Sequence, residues 1–356
     1  MTNFTPASHL DNGVLSIDPV VLANALPYMS YQDNVLHIDG VSADELVKHH
    51  GTPLYVYSKN AILGQFSAYT AAFGDMPHQI CYAVKANSNL AILKLLADAG
   101  AGFDIVSQGE LARVLEVTNG KKVVYSGVGK TTDDIRYALM ADIDCFNVEA
   151  MSELALINQV AGELGKTARI SIRINPDVDA NTHPYISTGL KDNKFGIYDG
   201  ISAYRYAKEC EHIDVVGVDC HIGSQIMETT PFVDALDKLI EMIDKIKAMG
   251  IELRHIDLGG GLGVRYTDEN PVSITEYVQA MLPKLRQLGL TVYLEPGRNM
   301  VANAGVLLTS VDVLKPTDEK NFAVVDASMS ELLRPALYEA VMAINRANLN
   351  TKTAVD

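Results

Sequence analysis

The chain has 356 residues, of which 48% are apolar and 21% charged; this excludes disordered, collagen-like and fibrous classes and leaves room for one large domain plus a smaller one. Lys and Arg number 29 against 44 Asp and Glu, a formal net charge of −15, which argues against a nucleic acid partner but not against a phosphate held by a nest of backbone N–H groups. The four cysteines form no CxxC pair, the N-terminus shows no signal peptide, and no run reaches the roughly 20 apolar residues of a membrane span, so a soluble, cytoplasmic chain with reduced thiols and no membrane partner is expected.

In chain order, residues 30–42 are strand-like, with Val35-Leu36-His37-Ile38 the clearest stretch. Eight apolar runs follow: Ile80–Val84, Gly102–Val106, Lys122–Tyr125, Ile143–Val148, Ala168–Ile174, Val215–His221, Arg254–Leu258 and Thr291–Leu294. Helical spacing separates them. Phe232, Leu236, Leu239, Ile240, Ile243, Ile246 and Met249 share one face before a stop at Gly250, and Leu90, Leu93 and Leu96 do the same in 89–100. Strands alternating with helices predict parallel pairing, and eight units in about 250 residues predict an α/β fold, a (β/α)8 TIM barrel. The barrel is expected over 52–304. Residues 1–51 and 305–356, including the strand-like 305–326, are expected to form a partial β domain from both chain ends.

Two glycine motifs fail. Gly127-Val128-Gly129-Lys130-Thr131 lacks the first glycine of a Walker loop, where Val124 stands. Gly259-Gly260-Gly261-Leu262-Gly263-Val264 breaks the dinucleotide pattern at Val264. No zinc-type Cys/His spacing is present, and no metal is expected.

Polar residues cluster where barrel active sites lie, at the strand ends. Lys85 follows the first run, Asp104 lies in the second, Arg173 closes the fifth and His221 the sixth, the glycines follow the seventh, and Glu295-Pro296-Gly297-Arg298 follows the eighth. Between Val84 and Ala86, Lys85 is expected to be desolvated, with a lowered pKa that suits a Schiff base; a snorkelling surface lysine is the competing reading. The glycine run suits a phosphate, with Ser224 adding a hydroxyl, or is a tight turn. Glu295 suits a protonated ring nitrogen, or a salt bridge to Arg298. His221 has the shape to stack on a flat cofactor, although a lone histidine there is more often a core residue. Together these point to pyridoxal 5′-phosphate (PLP), with Asp104, Arg173 and Gly297 beside it.

At these residues the sequence resembles the fold-type III PLP-dependent decarboxylases, over nearly the whole chain. The resemblance rests on Tyr82–Asn87, Gly102–Ser107 with Gly109-Glu110-Leu111, His221–Gln225, Asp257–Gly263 and Glu295–Arg298. His183–Gly189, Lys194–Ile197 and Arg334-Pro335-Ala336-Leu337-Tyr338 are similar to the branch acting on meso-diaminopimelate rather than on ornithine, arginine or carboxynorspermidine. The resemblance implies an alanine racemase-like barrel, a homodimer, and loss of carbon dioxide from the D-configured centre to give L-lysine. It implies that Lys85 carries the cofactor, His221 packs on the ring, Ser224, Gly260 and Gly261 hold the phosphate, and Glu295 pairs with the ring nitrogen. Arg298, Arg334 and Tyr338 would grip the substrate carboxylate and distal end, Arg334 having an ion pair with Glu331 as its other reading. His183–Lys194 would form a lid. The family's later Cys-Glu-Ser motif is missing, so a C-terminal truncation is expected, with weak cofactor binding, little turnover by this chain and exposed apolar strands such as Val324-Val325. A racemase, a non-catalytic paralogue and a PLP-free aldolase fit the residues less well.

Overall fold

The computed structural model describes residues 9–11, 14–16, 26, 28–178, 194–266, 269–319, 321–338 and 340–350. They fall into two compact units. One comprises Leu63–Val264 and Pro271–Met300, the other the described parts of Met1–Ile62, Arg265–Asn270 and Val301–Asp356.

The first unit is a closed barrel of eight strands. These are β1 (His78–Ala83), β2 (Gly102–Ile105), β3 (Val123–Tyr125), β4 (Cys145–Val148), β5 (Ala168–Arg173), β6 (Ile213–Asp219), β7 (His255–Asp257) and β8 (Thr291–Leu294). Each pairs in parallel with the next, and β8 closes on β1. Every strand lies within about two residues of the run expected from sequence, the usual uncertainty of such boundaries. Strands of a parallel barrel are buried on both faces and so read as continuous apolar runs. Phe103, Ile105, Val123, Phe146, Val148, Ile170, Ile172, Ile256 and Val292 are all buried.

Capping fixes the crossover helices. Asn89 accepts from the Ala91 N–H to start Leu90–Asp98. Ser107, which lies beside the strand ends, is committed to the same task and accepts from the Glu110 N–H. Ser273 and Glu276 form a capping box ahead of Ile274–Leu288, which ends on left-handed Gly289. No helix among the described residues is long and apolar enough to cross a membrane.

The second unit gathers both chain ends into several small sheets. Met29–Gln32, Val35–Ile38 and Val41–Ser42 pair antiparallel. The C-terminal segment docks on them: Leu36 N–H donates to the Ala347 carbonyl and Leu349 N–H to that of Asn34. Leu54–Tyr57, inside the range expected for the barrel, instead pairs antiparallel with Gly305–Leu308 and goes with this unit. Val311–Lys315 and Phe322–Val325 form a hairpin in which Val311, Val313, Leu314, Phe322, Val324 and Val325 are exposed.

Candidate active site

The barrel brings the C-terminal ends of β1 to β8 together, and local geometry aims their polar residues. Past β1, Val84–Ala86 makes a single 3-10 turn that carries Lys85. Ala83 is in register with Asp104 on β2, which sets that carboxylate under the lysine: Nζ to Oδ2 is 2.7 Å. This corrects the expected lowering of the Lys85 pKa. The side chain is 50% exposed, and Asp104 is fully buried. Desolvation works against the ammonium, but the Asp104 and Glu295 carboxylates outweigh it and raise the pKa.

Strand register also builds a row across the barrel. Arg173 on β5 is opposite Asp219 on β6, and Asp219 is opposite Asp257 on β7. All three are buried. Arg173 Nη1 donates to Glu149 Oε1 at 2.9 Å and Nη2 to the His221 carbonyl at 3.4 Å, while its guanidinium lies 4.8 Å from the Phe195 ring. Glu149, just past β4, is fully committed. Its Oε1 also accepts the Gly127 N–H, and Oε2 accepts the Gly196 N–H. One carboxylate thus ties the loops after β3 and β5 to the arginine. Glu149→Gln leaves one acceptor oxygen for three donors. Breaking this buried pair is expected to lower the unfolding free energy by about 3 kcal/mol, read from urea denaturation.

The loops after β6 and β7 form one scaffold. Ile226 N–H donates to the Gly261 carbonyl, Gly263 N–H to that of Ile226, and the Gln225 side chain brackets Val264 through its N–H and its carbonyl. Gly260 N–H donates to His221 Nδ1 at 3.1 Å. That acceptor role puts the ring proton of the neutral imidazole on Nε2. Burial, reinforced by Arg173 and Lys85, holds the His221 pKa well below its usual value. The Gly260 amide, expected on a phosphate, is therefore already engaged, whereas no described hydrogen bond uses the Gly261 amide. Ser224 Oγ accepts from Arg298 Nε at 3.1 Å.

Glu295 follows β8, its backbone N–H on the Gly259 carbonyl. Its carboxylate is buried and accepts from Ser126 Oγ at 3.3 Å and Asn147 Nδ2 at 3.2 Å. Burial, then Asp104, Asp257 and Asp219, pushes its pKa well above the ordinary range. No described ion pair joins it to Arg298. Gly297 packs under the Lys85 turn, where a Cβ would lie 3.1 Å from the Ala83 Cβ.

The barrel unit thus brings together Lys85, Asp104, Arg173, His221, Ser224, Gly260, Gly261, Glu295, Gly297 and Arg298. Arg334 and Tyr338 belong to the other unit, on the short helix Arg334–Tyr338. The Arg334 guanidinium lies 5.1 Å from the Tyr338 ring and 5.7 Å from that of Tyr266, and its Nε is buried without a partner. It makes no described ion pair with Glu331, whose carboxylate accepts from Ser328 instead. Of the expected lid His183–Lys194, all but Lys194 lies outside the described residues. Sequence reasoning missed Glu149, Asp219, Asn147 and Ser126, and quoted Asp257 without a role. The available signal was the polar residue at the end of the third, fourth, sixth and seventh runs.

Residues 59–302 match the family model described as "Pyridoxal-dependent decarboxylase, pyridoxal binding domain". The chain is 54% identical over 316 residues to the diaminopimelate decarboxylase of Pseudomonas aeruginosa, covering 88% of this chain and 76% of that one. Among solved structures it is similar to diaminopimelate decarboxylase from Helicobacter pylori complexed with L-lysine, at 45% identity and TM-score 0.81 over 83% of this chain and 76% of that one. The enzyme of the same name from M. jannaschii, in co-complex with L-lysine, gives 40% identity and TM-score 0.85 over 90% and 78%.

Proposed function

Because the chain belongs to the pyridoxal-dependent decarboxylases, we propose that it removes carbon dioxide from meso-2,6-diaminopimelate to give L-lysine, the last step of lysine biosynthesis. The observation that carries the substrate is the 54% identity to a relative named for that reaction.

The residues present fit pyridoxal phosphate. Lys85 offers a half-exposed primary amine. Glu295 is a buried acid whose strongest charged neighbours are other acids, an environment that a cationic ring nitrogen would relieve. At Gly259 a Cβ would lie 2.5 Å from His221 Nδ1, and at Gly261 2.6 Å from the Gly223 carbonyl oxygen, so side chains are excluded from this cradle. Once bound, the cofactor supplies an electron sink for the pair left behind when carbon dioxide departs.

The chain's own groups do the rest. Lys85 would hold the cofactor through its aldehyde, and Asp104 Oδ2, 2.7 Å from the amine, orients it. Glu295 would pair with the ring nitrogen and favour its protonated form, and neutral His221 would pack against the ring. Ser224 and the Gly260 and Gly261 backbone would hold the phosphate, with Asp104, Arg173 and Gly297 as further cofactor contacts. Arg298 in the barrel unit, and Arg334 with Tyr338 in the other, are the residues that the resemblance assigns to the substrate carboxylate and distal end. The reading includes a homodimer when the chain is full length, and a cytoplasmic location.

The test takes a form extended to the full length of the relatives, supplies PLP with meso-diaminopimelate and measures lysine and carbon dioxide, with Lys85→Ala as control. Lysine formation by the unsubstituted form is expected. No lysine, with product from ornithine or arginine instead, would reassign the substrate.

A further inference from the structure

The barrel mouth holds more acid than base. Asp104, Asp219, Asp257 and Glu295 converge there, while Lys85 and Arg173 are the cations that act on them and His221 is neutral. Carboxylate oxygens of Asp219, Asp257 and Glu295 all lie within 4.8 Å of one another, and all three residues are buried. The donors are unevenly spread. Glu295 Oε1 has Ser126 and Asn147, and Asp257 Oδ1 has the Gly259 N–H at 2.9 Å. Among the described residues, Asp257 Oδ2 and Asp219 Oδ1 are buried with no donor in ordinary hydrogen-bond geometry, and the Asp257 carboxyl faces Glu295 and Asn147. A proton between the two satisfies a buried carboxylate oxygen that faces another carboxylate.

We propose that Asp257 and Glu295 share one proton in the cofactor-free protein, so that Asp257 is a positioning residue that keeps Glu295 poised with a proton for a basic ring nitrogen. The proton is one the acids already hold: on binding it passes from the carboxyl pair to the ring nitrogen, leaving the pair with one more negative charge beside the new cation. Asp219, opposite Asp257 in strand register, contributes to the raised pKa of Glu295. Burial pushes the Asp257 pKa up to about 6. The groups facing the pair are Asp104 on β2, Arg173 on β5, Asp219 on β6, Lys85 after β1, the thiols of Cys81, Cys145 and Cys220, and the Tyr277 phenol. The inference rests on the assignment of Glu295 to the cofactor ring.

A buried acid with a raised folded-state pKa leaves stability intact below its unfolded value and removes it as pH rises toward the folded value. Thermal unfolding of the cofactor-free full chain is measured from pH 4 upward beside Asp257→Asn. The amide carries no charge and supplies the missing donor. Its melting temperature should rise relative to wild type as pH climbs from about 4 to about 6 and then hold its lead. Should Asp257→Asn not fold, Glu295→Gln reads the same pair from its other member. A second measurement counts protons taken up on PLP binding, by calorimetry in two buffers of different ionisation enthalpy. Asp257→Asn should draw about one more proton from the buffer than wild type, because its Glu295 is already ionised. Parallel stability curves, equal proton counts, or a stoichiometric divalent ion on the purified protein would overturn the proposal. Loss of the Lys85-dependent PLP absorption band would instead remove the cofactor reading and leave the stability result standing.

Discussion

Lys85→Ala is expected to reduce turnover of meso-diaminopimelate by roughly 10,000-fold or more, the scale on which enzymes lose a covalent nucleophile. The visible band of covalently held PLP should vanish with it. Lys85 has two separable duties. Its charge neutralises buried Asp104 at 2.7 Å, and its amine carries the bond to the cofactor. Lys85→Arg separates them, since a guanidinium keeps the ion pair but is never deprotonated in proteins. Lys85→Arg should therefore melt near wild type yet show neither band nor turnover. Lys85→Ala should in addition lose stability, because Asp104 is left buried without its cation. Measurable lysine production by Lys85→Arg would place the reactive amine elsewhere.

The barrel was legible because its signal is local. Strands buried on both faces give unbroken apolar runs, and helices give capped amphipathic ones, so all eight strands stand in the sequence. The polar groups at the ends of those runs stood out for the same reason, which is how Lys85, Asp104, Arg173, His221 and Glu295 were named. Their electrostatics were not local. Val84 and Ala86 suggest a desolvated lysine, but the Ala83–Asp104 register supplies a carboxylate from 19 residues away and raises the pKa. The row Arg173, Asp219, Asp257 exists only across three strands, and no spacing along the chain encodes it. Arg334 follows the same logic. Its three-residue spacing from Glu331 suits a helical pair, yet Glu331 accepts from Ser328 ahead of the helix, and the guanidinium lies 5.7 Å from the Tyr266 ring and 5.1 Å from that of Tyr338.

Gly260→Ala is expected to lower cofactor affinity by about 100-fold and to cost roughly 3 kcal/mol of stability, the upper range for a forced fit in a packed site. A Cβ on Gly260 would lie 2.3 Å from the Glu295 carbonyl oxygen. That atom is backbone and has no rotamer by which to escape. The loops after β7 and β8 must separate, although the Glu295 N–H bond to the Gly259 carbonyl, 2.7 Å long, holds them together. The same movement pulls the Gly260 N–H off His221 Nδ1 and frees the imidazole. One methyl group thus disturbs the phosphate cradle, the stacking ring and the ring-nitrogen acid at once. Gly129→Ala is the matched control. Gly129 lies in the rejected Walker-like stretch, and a Cβ there meets nothing within 4 Å. Titration of PLP followed by its absorption band should give wild-type affinity for Gly129→Ala and the loss for Gly260→Ala. Equal affinities would mean that the cradle yields, and that close packing of the Gly260 backbone on Glu295 is not what holds the cofactor.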